Sequence, residues 1–217
     1  MAVKKLRYSS VPDSISRQFE NAEKILEKFF SGLQRAPERG EIVVDGERYV
    51  LLRSSALAVD AINYLSELMG REAANRTLYY VAKGVGASDA RAFCERYGVE
   101  DPAFHLSLGP AHFAFAGYGT VVIHEESNIT PDDSYFLMYD HPNTFESEAY
   151  LRRGVITAEP VCFFSAGYSA GWCEECFNMR LDAREVACRA RGDPYCRFIM
   201  APPRILLTYI EEYFPEE

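Results

Sequence analysis

Apolar residues in this chain recur every three or four positions over long stretches, and these stretches are broken by short runs where they alternate around a glycine. The first periodic stretch follows Pro12, Asp13 and Ser14, where Asp13 or Ser14 can cap a helix. Phe19, Ala22, Leu26, Phe29 and Leu33 then fall at three- and four-residue steps, widened by Ile25 and Phe30, which predicts a helix to about Leu33. Such a stripe has two readings: a cap on the core of its own domain, or a seam that pairs with a second copy. A break from Ala36 to Gly40, with Pro37, separates residues 1–36, an N-terminal helical dimerisation segment, from the main body at 37–217.

The main body opens with Glu41–Leu52, where Asp45-Gly46 between two β-branched runs predicts a hairpin. A helix over 54–69 follows, with Leu57, Ala61, Ile62, Leu65 and Leu68 on one face and Gly70 at its end. Two more helices are predicted, Glu72–Lys83 and Ser88–Tyr97, the second with a capped start at Ser88. The span from Asp101 to Gly117 is helix or loop. Gly119–Glu126 and Ser134–Tyr139 read as strands, and Glu146–Leu151 as a turn or two of helix. Pro160 suits the first turn of a helix running to about Phe177. Arg180–Ala190 and Tyr195–Met200 form a last hairpin, turned at 191–194, before a final helix from Pro203 to Phe214. Helices and hairpins do not alternate as βαβ units, so the fold class is α+β with antiparallel hairpins packed against helices.

Composition narrows the function. The 217 residues carry a net charge of −9, which argues against a nucleic-acid footprint. No apolar run reaches membrane-spanning length, and the basic start lacks the apolar core of a signal peptide. A cytoplasmic protein with reduced thiols is expected, which changes the meaning of its cysteines.

Five of the six cysteines lie between Cys162 and Cys196. Grouped thiols in a reducing compartment point to a bound metal, most often zinc. Two ligand sets compete. Cys173 and Cys176, spaced as a zinc half-site, can join Cys188 and Cys196; or Cys162 and Glu185 can join the same pair. Cys188 and Cys196 flank a turn, so hairpin pairing can bring them together. Glu185 is three residues from Cys188, which on a regular strand puts the two on opposite faces, so the second set requires a bulge. The bland alternative is a set of buried free thiols. A closed four-ligand site would be structural, bracing the C-terminal hairpin.

Gly167-Tyr168 and Gly171, then Glu185 and Cys188, then Gly192 and Cys196, form a combination that resembles the 4-vinyl reductase domain. That domain is also the effector-sensing module of σ54-dependent activators of aromatic catabolism. The likeness upstream, from Gly40 to Tyr150, rests on the hairpin and the order of the helices. The resemblance implies an α+β fold with a lipophilic cavity, shared with transport-particle subunits that bind acyl chains. It also implies zinc held by Cys162, Glu185, Cys188 and Cys196, and an N-terminal dimerisation helix. Cys173 and Cys176 depart from the phenol-sensor pattern and remain alternative ligands. In the phenol sensors a His and a Trp fix the ligand hydroxyl, and approximate alignment places His112 and Tyr139 there. Phe104, Phe113, Phe136, Phe164 and Tyr168 are candidates for the apolar wall, each of which can also be plain core. His141, beside Pro142, reads as a surface residue.

The resemblance implies a sensory domain that binds a small lipophilic or aromatic molecule, acts as a homodimer, and signals to an output domain or partner. Two alternatives stand beside it. A reductase acting on the vinyl group of a tetrapyrrole needs a hydride donor, and Lys83 to Gly86 is too short for a dinucleotide fingerprint and follows a helix. No nucleophile–base set or paired carboxylates point to catalysis. A dimeric scaffold without ligand is the other alternative, and a cavity too small for a benzene ring would favour it.

Overall fold

The first periodic stretch folds as α1 (Ser16–Ser31), after a 3-10 turn at Asp13–Ile15. Its stripe of Phe19, Ala22, Leu26 and Phe29 is buried within the chain's own core, where α1 packs against α4 (Pro102–Phe115). Of the two readings of the stripe, this is the first. Ahead of α1 come two strands too short to show in the pattern, β1 (Val3–Lys5) and β2 (Ser9–Pro12). This computed structural model describes residues 3–215.

The hairpin at Asp45-Gly46 joins β4 (Glu41–Val44) to β5 (Glu47–Tyr49), both turn residues taking positive φ; β3 (Leu33–Ala36) completes a small three-stranded sheet. Beyond it, a π-helical segment (Ala56–Ala61) runs into α2 (Ile62–Met69). The wider π turn shifts the helical phase, so Ala58, Val59 and Ile62 face inward while Leu68 is 81 % exposed, not inward as the 3.6-residue period predicts.

A single helix, α3 (Arg71–Tyr97), replaces the two expected over this span. Its glycines do not break it. Gly86 lets it touch α6 (Phe163–Phe177), since a Cβ there would sit 2.1 Å from the carbonyl oxygen of Tyr168. Helix α4 settles the ambiguous middle as helix, capped by Asp101, whose side chain accepts from the Ala103 amide.

The strands β6 (Val121–Ile123), β7 (Leu137–His141), β8 (Asp182–Ala187) and β9 (Cys196–Ala201) join β1 and β2 in a six-stranded sheet, ordered β1-β2-β6-β7-β9-β8. Every pairing in it is antiparallel except β2 with β6. One face carries α4 and α6 over the main core. The other carries α7 (Leu206–Tyr213) over Phe136, Met138, Ile199 and Ala201. Helix α6 starts later than Pro160 suggests, and Glu146 of α5 (Phe145–Leu151) caps it. The carboxylate accepts from the Phe164 and Ser165 amides at 2.7 and 3.0 Å and from Ser165 Oγ at 2.6 Å. Burial pushes this carboxyl up to about 8.

Candidate metal centre and ligand cavity

Four elements converge at one end of the sheet. Cys162 precedes the first turn of α6, Glu185 lies in β8, Cys188 follows that strand, and Cys196 opens β9. One ligand atom from each lies within 4.8 Å of all the others, and all four residues are buried. The β8–β9 register slips between Glu185 and Ala187. This is the bulge that the three-residue offset from Glu185 to Cys188 requires.

The chemistry of the cluster fits a cation. Glu185 Oε2 accepts the Cys162 amide at 2.8 Å, while Oε1 is buried with no hydrogen-bond partner. A buried carboxylate oxygen left bare costs free energy, and an ion at the centre of the four donors would satisfy it. Hydrogen bonds from the Cys162 and Cys188 thiols hold the Cys196 sulfur well below the usual thiol range. Burial, and then the Cys196 charge, push Glu185 up. Four acidic groups thus crowd one buried point, and a divalent cation would reverse the pressure on their protons. Around them, Thr144 Oγ1 lies 3.1 Å from Cys162 Sγ, and the Arg189 amide donates to Cys196 Sγ at 3.4 Å. Cys173 and Cys176 point elsewhere from α6, buried near Tyr135 and Phe177, and lie outside the cluster. Burial pushes Cys173 up to about 12, in keeping with a neutral core thiol.

An apolar cavity of about 40 Å³ lies between α4, α6 and the sheet. Its walls include Leu106, Phe113, Ile123, Tyr139, Tyr168 and Trp172. The Tyr139 hydroxyl is buried and bonded to nothing; Ser169, the polar side chain sharing that wall, does not reach hydrogen-bonding geometry with it.

Residues 143–202 match the 4-vinyl reductase domain, and residues 28–128 match the family described as activator of aromatic catabolism. No curated protein sequence matches the chain. The phenol-responsive sensory domain of the transcription activator PoxR, solved with phenol, superposes with a TM-score of 0.72 at 20 % identity, covering 94 % of this chain and 100 % of that one. At that identity the likeness is one of fold. Two weaker likenesses accompany it. A trafficking protein particle complex subunit 3 from Naegleria fowleri, covalently bound to palmitic acid, gives a TM-score of 0.47 at 15 % identity over 68 % of this chain and 93 % of that one. A vinyl-4-reductase family protein from Methanocaldococcus jannaschii gives 0.43 at 18 % over 87 % and 92 %.

All four cluster residues lie inside the segment that matches the 4-vinyl reductase domain, whereas the cavity wall draws on both matched segments and on Leu137 and Tyr139, which lie between them. Phe113, Tyr139 and Tyr168 stand on the cavity wall. Phe164 packs beside it against Tyr118, Phe145 and Tyr168. Phe104 is partly buried against the main core and does not line the cavity. Phe136 faces the opposite side of the sheet, under α7, because its place along the strand alternates with those of Tyr135, Leu137 and Tyr139.

His112 sits behind the wall, with both ring nitrogens facing protein hydroxyls: Tyr168 at 2.8 Å from Nδ1 and Tyr49 at 3.5 Å from Nε2. His141, read from the sequence as a surface residue, lies in the interior instead. It is fully buried, stacked on Phe113 at 4.8 Å and edge-on to Tyr139 at 5.2 Å. Its Nδ1–H donates to the Thr120 carbonyl at 2.9 Å, which leaves Nε2 a bare acceptor without a partner. The signal was available in the strand period, since His141 is two residues from Tyr139 and shares its face.

Burial pushes His112 down to about 3, so the ring is neutral in the folded chain. The unfolded chain takes up a proton near pH 6.5, so the stability this site contributes is present above that pH and lost as pH falls toward 3. The loss is about 1.4 kcal/mol for each pH unit. Glu146, held up to about 8, contributes with the opposite sign over the same window, so the check is the difference between the parent and His112→Gln in urea: the parent's advantage should shrink from pH 7 to pH 5, and a constant difference would contradict it.

Proposed function

We propose that this chain is a sensory domain that binds a small aromatic molecule bearing a hydroxyl, and passes the occupancy of its cavity to an output domain or partner. The observation that carries this is the Tyr139 hydroxyl, buried and unbonded on a mostly apolar wall that it shares with Ser169. A lone buried hydroxyl is costly until something bonds to it, and a guest hydroxyl would do so. His141, next to it on the strand, offers a bare acceptor on the same side. The fold likeness to a phenol-responsive domain, and the match to activators of aromatic catabolism, support the same class of guest. We read the domain as a binding module, because its cavity presents mostly apolar walls with the Tyr139 and Ser169 hydroxyls among them.

Zinc is the cation we assign to Cys162, Glu185, Cys188 and Cys196. Thiolates bound to zinc at about 2.3 Å in a tetrahedron stand about 3.8 Å apart. The Cys162 and Cys196 sulfurs are 3.7 Å apart. Three thiols and one carboxylate close the coordination, so the ion would brace the hairpin against α6 and supply structure only. The proposal includes a homodimer, supported by the exposed apolar side chains Val50, Leu51, Leu52, Tyr64 and Leu68. It also places the protein in the cytoplasm, where the thiols stay reduced. No helix among the described residues is long and apolar enough to cross a membrane.

Calorimetric titration with phenols, methylbenzenes and fatty acids tests the reading. Tyr139→Phe should weaken phenol binding about tenfold and leave methylbenzene binding unchanged. The second reading, a dimeric scaffold without ligand, is favoured by the cavity's size: about 40 Å³, against the roughly 150 Å³ known to admit benzene. Absence of saturable binding by every compound would establish that reading instead.

A further inference from the structure

A guest the size of a benzene ring needs more room than the cavity holds, so part of its wall has to yield. Most of the wall cannot. Val121, Ile123 and Leu137 belong to the sheet, and Trp172 packs on Gly109, where a Cβ would lie 2.9 Å from its ring nitrogen. Tyr168 differs. Its backbone is pinned by the close approach of Gly86, so only its ring is free to turn. Its hydroxyl points out of the cavity, donating to Asp89 Oδ2 at 2.9 Å. With that proton committed, the Tyr168 oxygen accepts from His112 Nδ1–H at 2.8 Å, and His112 Nε2 is left to accept from the Tyr49 hydroxyl. The three core helices are thereby tied through one tyrosine oxygen, and Asp89 is the end of the chain of bonds that solvent partly reaches.

We propose that Asp89 and His112 act as a latch on Tyr168, positioning residues that hold its ring in the cavity wall and so set the size of guest the cavity admits. This rests on the sensory reading above. Two bonds, one to a carboxylate, fix a ring whose backbone cannot move. Loosening them lets the ring swing toward the polar side and enlarges the cavity without disturbing the helix crossing.

The test uses the full chain with Asp89→Ala, which removes the acceptor, and Asp89→Asn, which keeps one. The first measurement is the ratio of affinities for 3,4-dimethylphenol and phenol by calorimetry. Asp89→Ala should raise it about tenfold and Asp89→Asn should leave it near the parent value. An unchanged ratio in Asp89→Ala overturns the proposal. The second needs no guest: the flip rate of the Tyr168 ring by NMR of labelled tyrosine, expected to rise in Asp89→Ala and not in Asp89→Asn. Should no variant bind any phenol, the sensory reading fails by itself, and an equal flip rate in parent and Asp89→Ala then overturns the latch as well. A merely structural role for Asp89 would lower the melting temperature without moving either readout.

Discussion

Gly171→Ala should melt about 6–12 °C or more below the parent. Helices α3 and α6 cross with their backbones in contact at three glycines. A Cβ on Gly171 would stand 1.9 Å from the carbonyl oxygen of Lys83; on Gly167, 2.1 Å from that of Tyr79; on Gly86, 2.1 Å from that of Tyr168. The obstructing atoms are backbone, so no side chain can turn aside. One methyl has to push two helices apart along the interface that buries Ala82, Ala170 and Trp172. Overpacking of this kind costs about 3 kcal/mol or more, a large share of the stability of an ordinary domain. The same helix supplies the control. A Cβ on Gly84 meets nothing within 4 Å, so Gly84→Ala should stabilise by about 0.5–1 kcal/mol through helix propensity. Thermal melts of the two variants decide the matter, and a parent-like melt for Gly171→Ala would show that the helices do not touch as described.

Stripping the metal should produce the other large effect. With no ion, Glu185 Oε1 is a bare buried acceptor and three thiols face one another around it. The hairpin β8–β9 then loses its tie to α6, and with it the cap over the core around Phe198. We expect a strong chelator to lower the melting temperature by at least about 10 °C, the equivalent of several kcal/mol in a chain of this length. Cys196→Ser should do the same without chelator. Cys173→Ser, outside the cluster, should retain the full complement of metal, expected at one zinc ion per chain by elemental analysis. A metal-free, fully folded preparation with a chelator-insensitive melt would remove the centre from the structure.

Much of the fold was legible before the structure because it depends on local rules. The Asp45-Gly46 turn demands positive φ at two positions, and a β-hairpin supplies them. The stripe from Phe19 to Phe29 can only be a helix, and the run from Arg180 to Met200 can only pair across its turn. The cluster of three thiols and a carboxylate was legible in part: Cys188 and Cys196 were fixed by that turn, and the offset of Glu185 already required a bulge. Local rules failed where a distant segment decided the outcome. The helix was expected to stop at Lys83, because nothing nearby in sequence shows that α6 lies against Gly86. Ala56–Ala61 widened into a π turn and rotated the face that the period had assigned.

The site divides the same way. Sequence by itself determined the chemical inventory: thiols and a carboxylate suited to a cation, aromatic residues enough to line a chamber, and an α+β frame built from hairpins and amphipathic helices. Tertiary structure alone decided which members meet. It excluded Cys173 and Cys176 from the cluster because α6 turns them toward Tyr135. It also put Phe136 across the sheet, tied both nitrogens of His112 to tyrosines, and buried His141 with a bare nitrogen. The physical reason is that the pattern of apolar positions records how much each residue is buried, whereas the partner of a buried polar atom is set by packing between segments far apart in the chain.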